Sequence, residues 1–172
     1  QPIDSFGVVG TGNTPSMKIS EYYENQDYCF IKPSDLNDNV IQLFDSDYKI
    51  DKRAETVSRM FPKNTVLVSC IGSVGKVAIS KLEKSSCNQQ INYVIPFDNV
   101  DSTYLAHAIL FNKNYLLSIA NAPVVPIVNK SQFSRMPIPK PSYDDQIRYA
   151  KFVQQVDKSK FEYFLIHFRG DR

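Results

Sequence analysis

Between Phe61 and Pro96 the sequence repeats one pattern three times: a run of β-branched, aliphatic or aromatic residues closed off by glycine, proline, asparagine or serine. The runs are Val66-Leu-Val-Ser-Cys-Ile71, Lys76-Val-Ala-Ile-Ser80 and, after a polar loop, Cys87-Asn-Gln-Gln-Ile-Asn-Tyr-Val-Ile-Pro96. Residues of these types suit the pleated, half-buried surface of a sheet, and tight punctuation between them makes successive strands antiparallel neighbours. The stretch therefore predicts a twisted, mostly antiparallel sheet at the core of an α+β domain. At 172 residues the chain is long enough for one well-buried domain and too short for two of ordinary size.

Two glycine patterns invite a nucleotide reading, and both fail on spacing. Gly72-Ser-Val-Gly-Lys76 lacks the glycine a P-loop needs five residues before its glycine-lysine pair, because position 70 is Cys70, and Val77 stands where a magnesium-holding Ser or Thr belongs. The loop also leads into a strand, so no helix N-terminus receives the anion. A glycine-shaped hairpin turn is the expectation instead. Gly10-Thr-Gly12 follows a short strand over Phe6-Gly-Val-Val9, but Pro15 occupies the third glycine position of a dinucleotide fingerprint, which leaves a tight turn.

Around the central sheet the remaining elements follow local signals. Tyr28–Lys32 reads as a strand, and Pro33-Ser-Asp-Leu36 as a short helical turn capped by Ser34 or Asp35. Residues 37 to 50 are rich in aspartate and read as an irregular loop passing into a strand near Tyr48–Ile50. Asp51–Arg59 predicts a helix of about two turns. Asp101 or Ser102 caps a helix through Leu110, which Asn112-Lys-Asn-Tyr115 breaks as a loop. Ala122–Val128 reads as an edge strand or extended connector, Asn129–Phe133 as a short helix, and Met136–Pro141 as a stiff exit linker.

From Ser142 onward Ile147, Ala150, Val153, Val156, Phe161, Phe164, Leu165 and Phe168 recur at steps of mostly three or four, with no proline or glycine before Gly170. This is an amphipathic helix of roughly seven turns. A stripe that long outruns what one domain covers and calls for a partner helix, the alternative being that it folds back on the sheet. The expected organisation is a globular domain over 1–141 and a helical spacer over 142–172.

Charge and cysteine usage narrow the function classes. A net charge of +2 and a pI near 8.4 are only mildly basic, so composition alone does not point to DNA. Lys49, Lys52, Arg53, Arg59 and Lys63 nevertheless fall close together, a suitable landing site for duplex phosphates or else a solvated face beside the sheet. Asn112, Lys113 and Asn114 carry the amides and the cation that pair with adenine and guanine edges in a major groove. Tyr22 and Tyr23 can stack on a base or sugar, or simply cover a sheet edge. Three cysteines, Cys29, Cys70 and Cys87, are too few and too unevenly spaced for a secreted disulfide framework, and with His107 and His167 they give no zinc spacing. Cys29 and Cys70 read as core thiols and His107 as a packing or surface residue. No apolar run approaches the ~20 residues of a membrane span, and no signal-peptide pattern opens the sequence, so a reducing cytoplasm is expected.

Several of these pieces resemble one family in order along the chain. Pro62-Lys-Asn-Thr-Val-Leu-Val-Ser69, Ile71-Gly-Ser-Val-Gly-Lys-Val-Ala-Ile79 and Cys87-Asn-Gln-Gln-Ile91 are similar to the signature of target-recognition domains in specificity (S) subunits of type I restriction-modification systems. Gly12-Asn-Thr-Pro-Ser16, Tyr28-Cys-Phe-Ile-Lys-Pro-Ser-Asp-Leu36 and Pro126–Pro139 resemble its early turn, its aromatic-isoleucine strand and its closing segment. The chain departs from that pattern at Phe30-Ile31, where the family has Trp-Ile, and at Asn121-Ala-Pro-Val-Val125, where it has Gly-x-Thr. It departs again at Pro141-Ser-Tyr-Asp-Asp-Gln146, where two prolines and Glu-Gln are usual.

The resemblance implies one half of a two-domain subunit: a non-catalytic module that reads one half of a split site in double-stranded DNA and needs no cofactor. Lys49, Lys52, Arg53, Arg59 and Lys76 would then engage phosphates, while Tyr22, Tyr23, Asn112, Lys113 and Asn114 face bases. The terminal helix, through Ile147, Ala150, Val153, Val156, Phe161, Phe164 and Phe168, would dock methyltransferase (M) subunits or a second copy, with restriction (R) subunits joining the full complex. The sequence shows no methyltransferase base-binding motif, no nuclease carboxylate-lysine set and no paired nucleophile and base. A DNA modification or nuclease domain with an unrecognised site is the enzyme alternative, and a protein-interaction domain working through its terminal helix is the third.

Overall fold

The same apolar runs decide the architecture, because they are buried on both sides. The computed structural model describes residues 1–120 and 124–168, with the backbone alone for 160–168. Nine strands are found among the described residues: β1 (Gly7–Thr11), β2 (Tyr28–Ile31), β3 (Ile41–Leu43), β4 (Lys49–Ile50), β5 (Phe61–Pro62), β6 (Val66–Ser69), β7 (Val77–Ser80), β8 (Lys84–Cys87) and β9 (Ile91–Pro96). Four α-helices accompany them: α1 (Ser102–Phe111), α2 (Lys113–Ile119), α3 (Lys130–Ser134) and α4 (Tyr143–Phe168).

The strands form two sheets rather than the single one expected. The first is ordered β1-β9-β6-β7-β3 and the second β4-β2-β8-β5. The three runs of the central stretch are β6, β7 and β9, paired antiparallel with Val66 opposite both Ile79 and Val94. Antiparallel pairing dominates, but β2 pairs with β8 and β3 with β7 in parallel. The β6–β7 connection is the expected glycine-shaped hairpin, with Gly72 at φ 75° and Gly75 at φ 87°, a region that residues with a Cβ avoid.

Alternation along β6 explains its uninterrupted burial. Val66 and Val68 join the core beneath the helices, with Leu105, Ile109, Leu116 and Phe133. Leu67 points the other way, into the layer with Ile31, Phe61, Ala78 and Ile91 that seals the first sheet against the second. A strand covered on both faces needs apolar residues at every position. Each such fully buried side chain contributes about 1.5–3 kcal/mol against the entropy of ordering the chain. A smaller cluster of Phe30, Ile50 and Ala54, with Tyr22, Tyr23, Tyr28 and Met60 partly buried against it, covers the far side of the second sheet.

Strands β3 and β8 were not expected. The first is three residues inside the aspartate-rich loop, and the second, Lys84-Ser-Ser-Cys87, lacks β-branched residues altogether. Ser80 at the end of β7 and Ser85 in β8 have their buried hydroxyls 3.1 Å apart and satisfy each other where the chain passes between sheets. The predicted helix over Asp51–Arg59 is instead a single 3-10 turn at Lys52–Ala54. Asn13 accounts for this: its side chain donates to the Val57 carbonyl and accepts from the Arg59 N–H, taking backbone groups a second helical turn needs.

Asp101 caps α1 by accepting from the Tyr104 N–H at 2.9 Å, and Asn129 caps α3 reciprocally with Gln132. The 112–115 segment is not a loop. Asn112 is the junction at which α1 ends and α2 begins. Pro126–Val128 runs as the expected connector beside the β6 end, where Gly72 N–H donates to Pro126 O and Val128 N–H to Cys70 O; residues 121–123, and with them the Asn121 departure, lie outside the described residues.

The exit segment is extended, as expected, but it belongs to the core. Met136 and Ile138 are buried, and Ile3 N–H donates to Met136 O while Ile138 N–H donates to Gln1 O. Helix α4 then turns back onto α1 rather than leaving directly. Gln146 is buried with its carbonyl oxygen accepting from the Asp101 N–H, Ala150 is buried, and the Tyr149 hydroxyl meets His107 Nδ1 at 2.8 Å. Ala150, expected on the partner-facing stripe, is thus covered by its own domain, while Ile147, Val153 and Val156 are half-buried. The Phe161, Phe164 and Phe168 side chains lie outside the described residues. No helix among the described residues is long and apolar enough to cross a membrane.

Candidate nucleic-acid interface

The residues predicted to meet DNA separate into two groups, one on each sheet. On the second sheet, Tyr22 and Tyr23 lie in a 3-10 turn at Ser20–Tyr23 that packs against the Lys52–Ala54 turn. Asp51 ties the two together. Its N–H donates to Tyr22 O, and its buried carboxylate accepts from the Asn25 side chain at 2.6 Å, the Arg53 N–H at 2.8 Å and Arg53 Nε at 2.9 Å.

Much of the local cation cluster is neutralised internally. Arg53 also bonds Glu24 at 2.7 Å, and Lys49 pairs with Asp45 and donates to Ser46 O and Cys29 Sγ. Arg59 is exposed, with Nη1 on the Thr11 carbonyl at 2.8 Å. Lys52 is exposed, and its ammonium has no partner among the described residues. The tyrosines are mainly structural: both pack on the Phe30 cluster, and the Tyr23 hydroxyl donates to Pro15 O.

The second group gathers where the β6–β7 hairpin meets α2. Lys113 pairs with Asp38 at 2.8 Å and lies over Gly75, where an added Cβ would come within 2.7 Å of the lysine chain. The Lys113 ammonium, with Lys76 adding to it, holds the Asp38 carboxyl below its usual range. Asn112 donates to Pro137 O and so is occupied in closing the domain, whereas Asn114 is exposed. The arrangement expected of a readout loop is therefore replaced by a helix junction with one amide, Asn114, turned outward.

A cleft of about 560 Å³ opens on the second sheet, and Tyr23 and Lys49 are the two predicted residues that line it. Thr14, Lys32, Tyr48 and the Asn88-Gln-Gln90 turn complete its polar lining. Lys32 Nζ sits 2.9 Å above the Tyr48 ring centroid, an ammonium held on an aromatic face. Cations, aromatic rings and amides in one concave surface are the chemistry of nucleic-acid contact. Lys32, Tyr48, Gln89 and Gln90 were not among the predicted contacts. Two adjacent glutamines in a polar turn between strands are the signal that marks them.

The remaining polar chemistry is structural. Burial pushes the Cys70 thiol up to about 12 and the Cys87 thiol higher still, so both stay protonated; all three cysteines are free and buried. Among the described residues no three His, Cys, Asp or Glu side chains gather as a metal site.

Asp51 gives the face a pH dependence. The Arg53 guanidinium and N–H, helped by Asn25, hold its carboxyl well below the usual carboxylate range. A carboxyl depressed in the folded state contributes stability that is present above the unfolded value, about 3.9, and lost as pH falls below it. Asp51→Asn is expected to lower the urea midpoint at pH 7 and to flatten its decline below about pH 4, so the two curves converge in acid. Parallel curves would remove Asp51 as the clamp.

Residues 2–163 match the type I restriction modification DNA specificity domain. The chain belongs to that family. Among curated relatives of this DNA specificity domain is the MjaIX specificity subunit of a type I restriction enzyme from Methanocaldococcus jannaschii, 34% identical over 162 residues, covering 90% of this chain and 37% of the relative. The HindI specificity subunit of Haemophilus influenzae is 31% identical over 158 residues, covering 90% and 34%. The domain thus spans little more than a third of the length of these relatives.

The fold recurs in solved structures. The S subunit of the type I restriction-modification system from M. genitalium superposes with a TM-score of 0.65 at 16% identity, over 92% of this chain and 38% of that one. The HsdS subunit from Thermoanaerobacter tengcongensis gives 0.68 at 15%, over 92% and 36%. The specificity domain's two sheets and helices are accordingly the family's own architecture.

Proposed function

We propose that this chain is a DNA target-recognition domain that reads one half of a bipartite site for a type I restriction-modification complex. The observation that carries the reading is the family match across residues 2–163. In this reading residues 1–141 bind DNA and do no chemistry of their own, and 142–172 form a helical spacer that docks methyltransferase subunits, with restriction subunits joining the full assembly. Self-association through α4 is the other use of that helix, and the cytoplasm is where such a complex would meet DNA.

The surface around Lys52, Arg59 and the cleft is where the duplex would land, because the exposed cations and the tyrosine and amide groups lie there together. Phosphate contacts position a protein and make its affinity fall with salt, whereas base contacts set sequence. Lys52→Ala is expected to weaken binding to all duplexes alike and to reduce the slope of log affinity against log salt by about 1. Arg53→Ala is expected to act through stability instead, since its guanidinium is committed to Asp51 and Glu24. Fluorescence anisotropy across a salt series, paired with urea unfolding of each variant, separates the two. An unchanged slope for Lys52→Ala would take the phosphate face away from this surface.

A further inference from the structure

The turn between β8 and β9 carries a relay of hydrogen bonds that begins on the backbone and ends in the cleft. The Gln90 N–H donates to Asn88 Oδ1 at 3.1 Å. A main-chain N–H can only donate, so that end of the Asn88 amide is its carbonyl, and the other end, Nδ2, donates to Gln90 Oε1 at 2.9 Å. The Gln90 carbonyl is thereby occupied and its amino group is the end left over. Beside it, the Thr14 hydroxyl donates to Gln89 Oε1 at 2.7 Å, which occupies the second carbonyl. Neither glutamine amino group has a partner among the described residues.

Charge reinforces these donors: Lys32 adds an ammonium above Tyr48, in the same cleft as those two amino groups. Two glutamine amino groups and one ammonium are thus the donors left over in the cleft, while each glutamine carbonyl already accepts a hydrogen bond. Such a set of donors favours a group rich in acceptors. A guanine edge, with N7 and O6, is one candidate and a phosphate is the other. The cation beside two separate amide donors favours the anion.

We propose that this cleft holds a phosphodiester of the DNA backbone, with Gln89 and Gln90 donating to its oxygens and Lys32 supplying the charge. The proposal rests on the DNA-binding reading above and assigns a positioning contact within it.

The test measures binding of the purified full chain to a randomised duplex pool across a salt series, for the unmodified protein, Gln90→Glu and Lys32→Gln, with thermal unfolding of each. Gln90→Glu keeps the oxygen that accepts from Asn88 and replaces the donor with a carboxylate. It is expected to cost about tenfold or more in affinity. Lys32→Gln is expected to reduce the salt slope by about 0.9. Both variants should melt with the parent and enrich the same sequences, because a phosphate contact carries no base information. A changed enriched sequence would make the cleft a base reader and overturn the assignment. Unchanged affinity in both variants, with the parent still binding DNA, would overturn the assignment alone. A parent that binds no duplex would overturn it together with the DNA reading.

Discussion

Phe133→Ala is expected to lower the unfolding free energy by about 3–5 kcal/mol, the range for truncating a buried phenylalanine. Phe133 is fully buried, in the one turn of α3 that packs against β1 and the Ile3–Ser5 segment. It holds down the chain between Asn129 and Ile138, which in turn pairs with the N-terminal residues. A domain of this size has only about 5–15 kcal/mol in total, so the variant should sit close to the edge of folding at 37 °C. Urea unfolding followed by circular dichroism measures it. A loss below about 1 kcal/mol would mean that this segment is not part of the core.

Gly12→Ala is expected to damage fold and binding together. An added Cβ would stand 2.3 Å from both the Asn88 and Cys87 carbonyl oxygens, and backbone cannot swing aside as a flexible side chain can. The turn carrying Gln89 and Gln90 must therefore move away from the end of β1. That strains the bonds from Gly12 N–H to Ile91 O and from Asn13 N–H to Cys87 O. Overpacking of this kind costs about 1–3 kcal/mol. Because the displaced turn lines the cleft, DNA affinity should fall even where the variant remains folded. Full affinity in a folded Gly12→Ala protein would separate the cleft from DNA binding.

The fold was legible in the sequence where burial dictated composition. Strands β6, β7 and β9 are covered on both faces, and their continuous apolar runs announce them. Strand β8 was hidden because two buried serines and a lysine fill it, and its place is fixed by pairing with β2 and β5 rather than by propensity. Local sequence overstates the helix at Lys52–Ala54 because the groups that interrupt it come from Asn13, more than forty positions away from Val57 and Arg59.

The candidate site shows the same limit. Sequence reveals that cations cluster near Lys49–Arg59, but not that Glu24 and Asp45 claim two of them. Asn112 carries an amide suited to adenine, yet the domain uses it to hold the Pro137 carbonyl. Gln89 and Gln90 lie in a stretch that carries the family resemblance, and only the path of the Asn88 relay shows which end of the Gln90 amide is left without a partner among the described residues.

The most direct measurement of the central claim is selection from a randomised duplex pool by the purified chain, alone and with a methyltransferase subunit. The account predicts enrichment of one short motif, roughly three to five base pairs, with the subunit strengthening binding without changing the motif. A folded chain that enriches no sequence in either condition would contradict it.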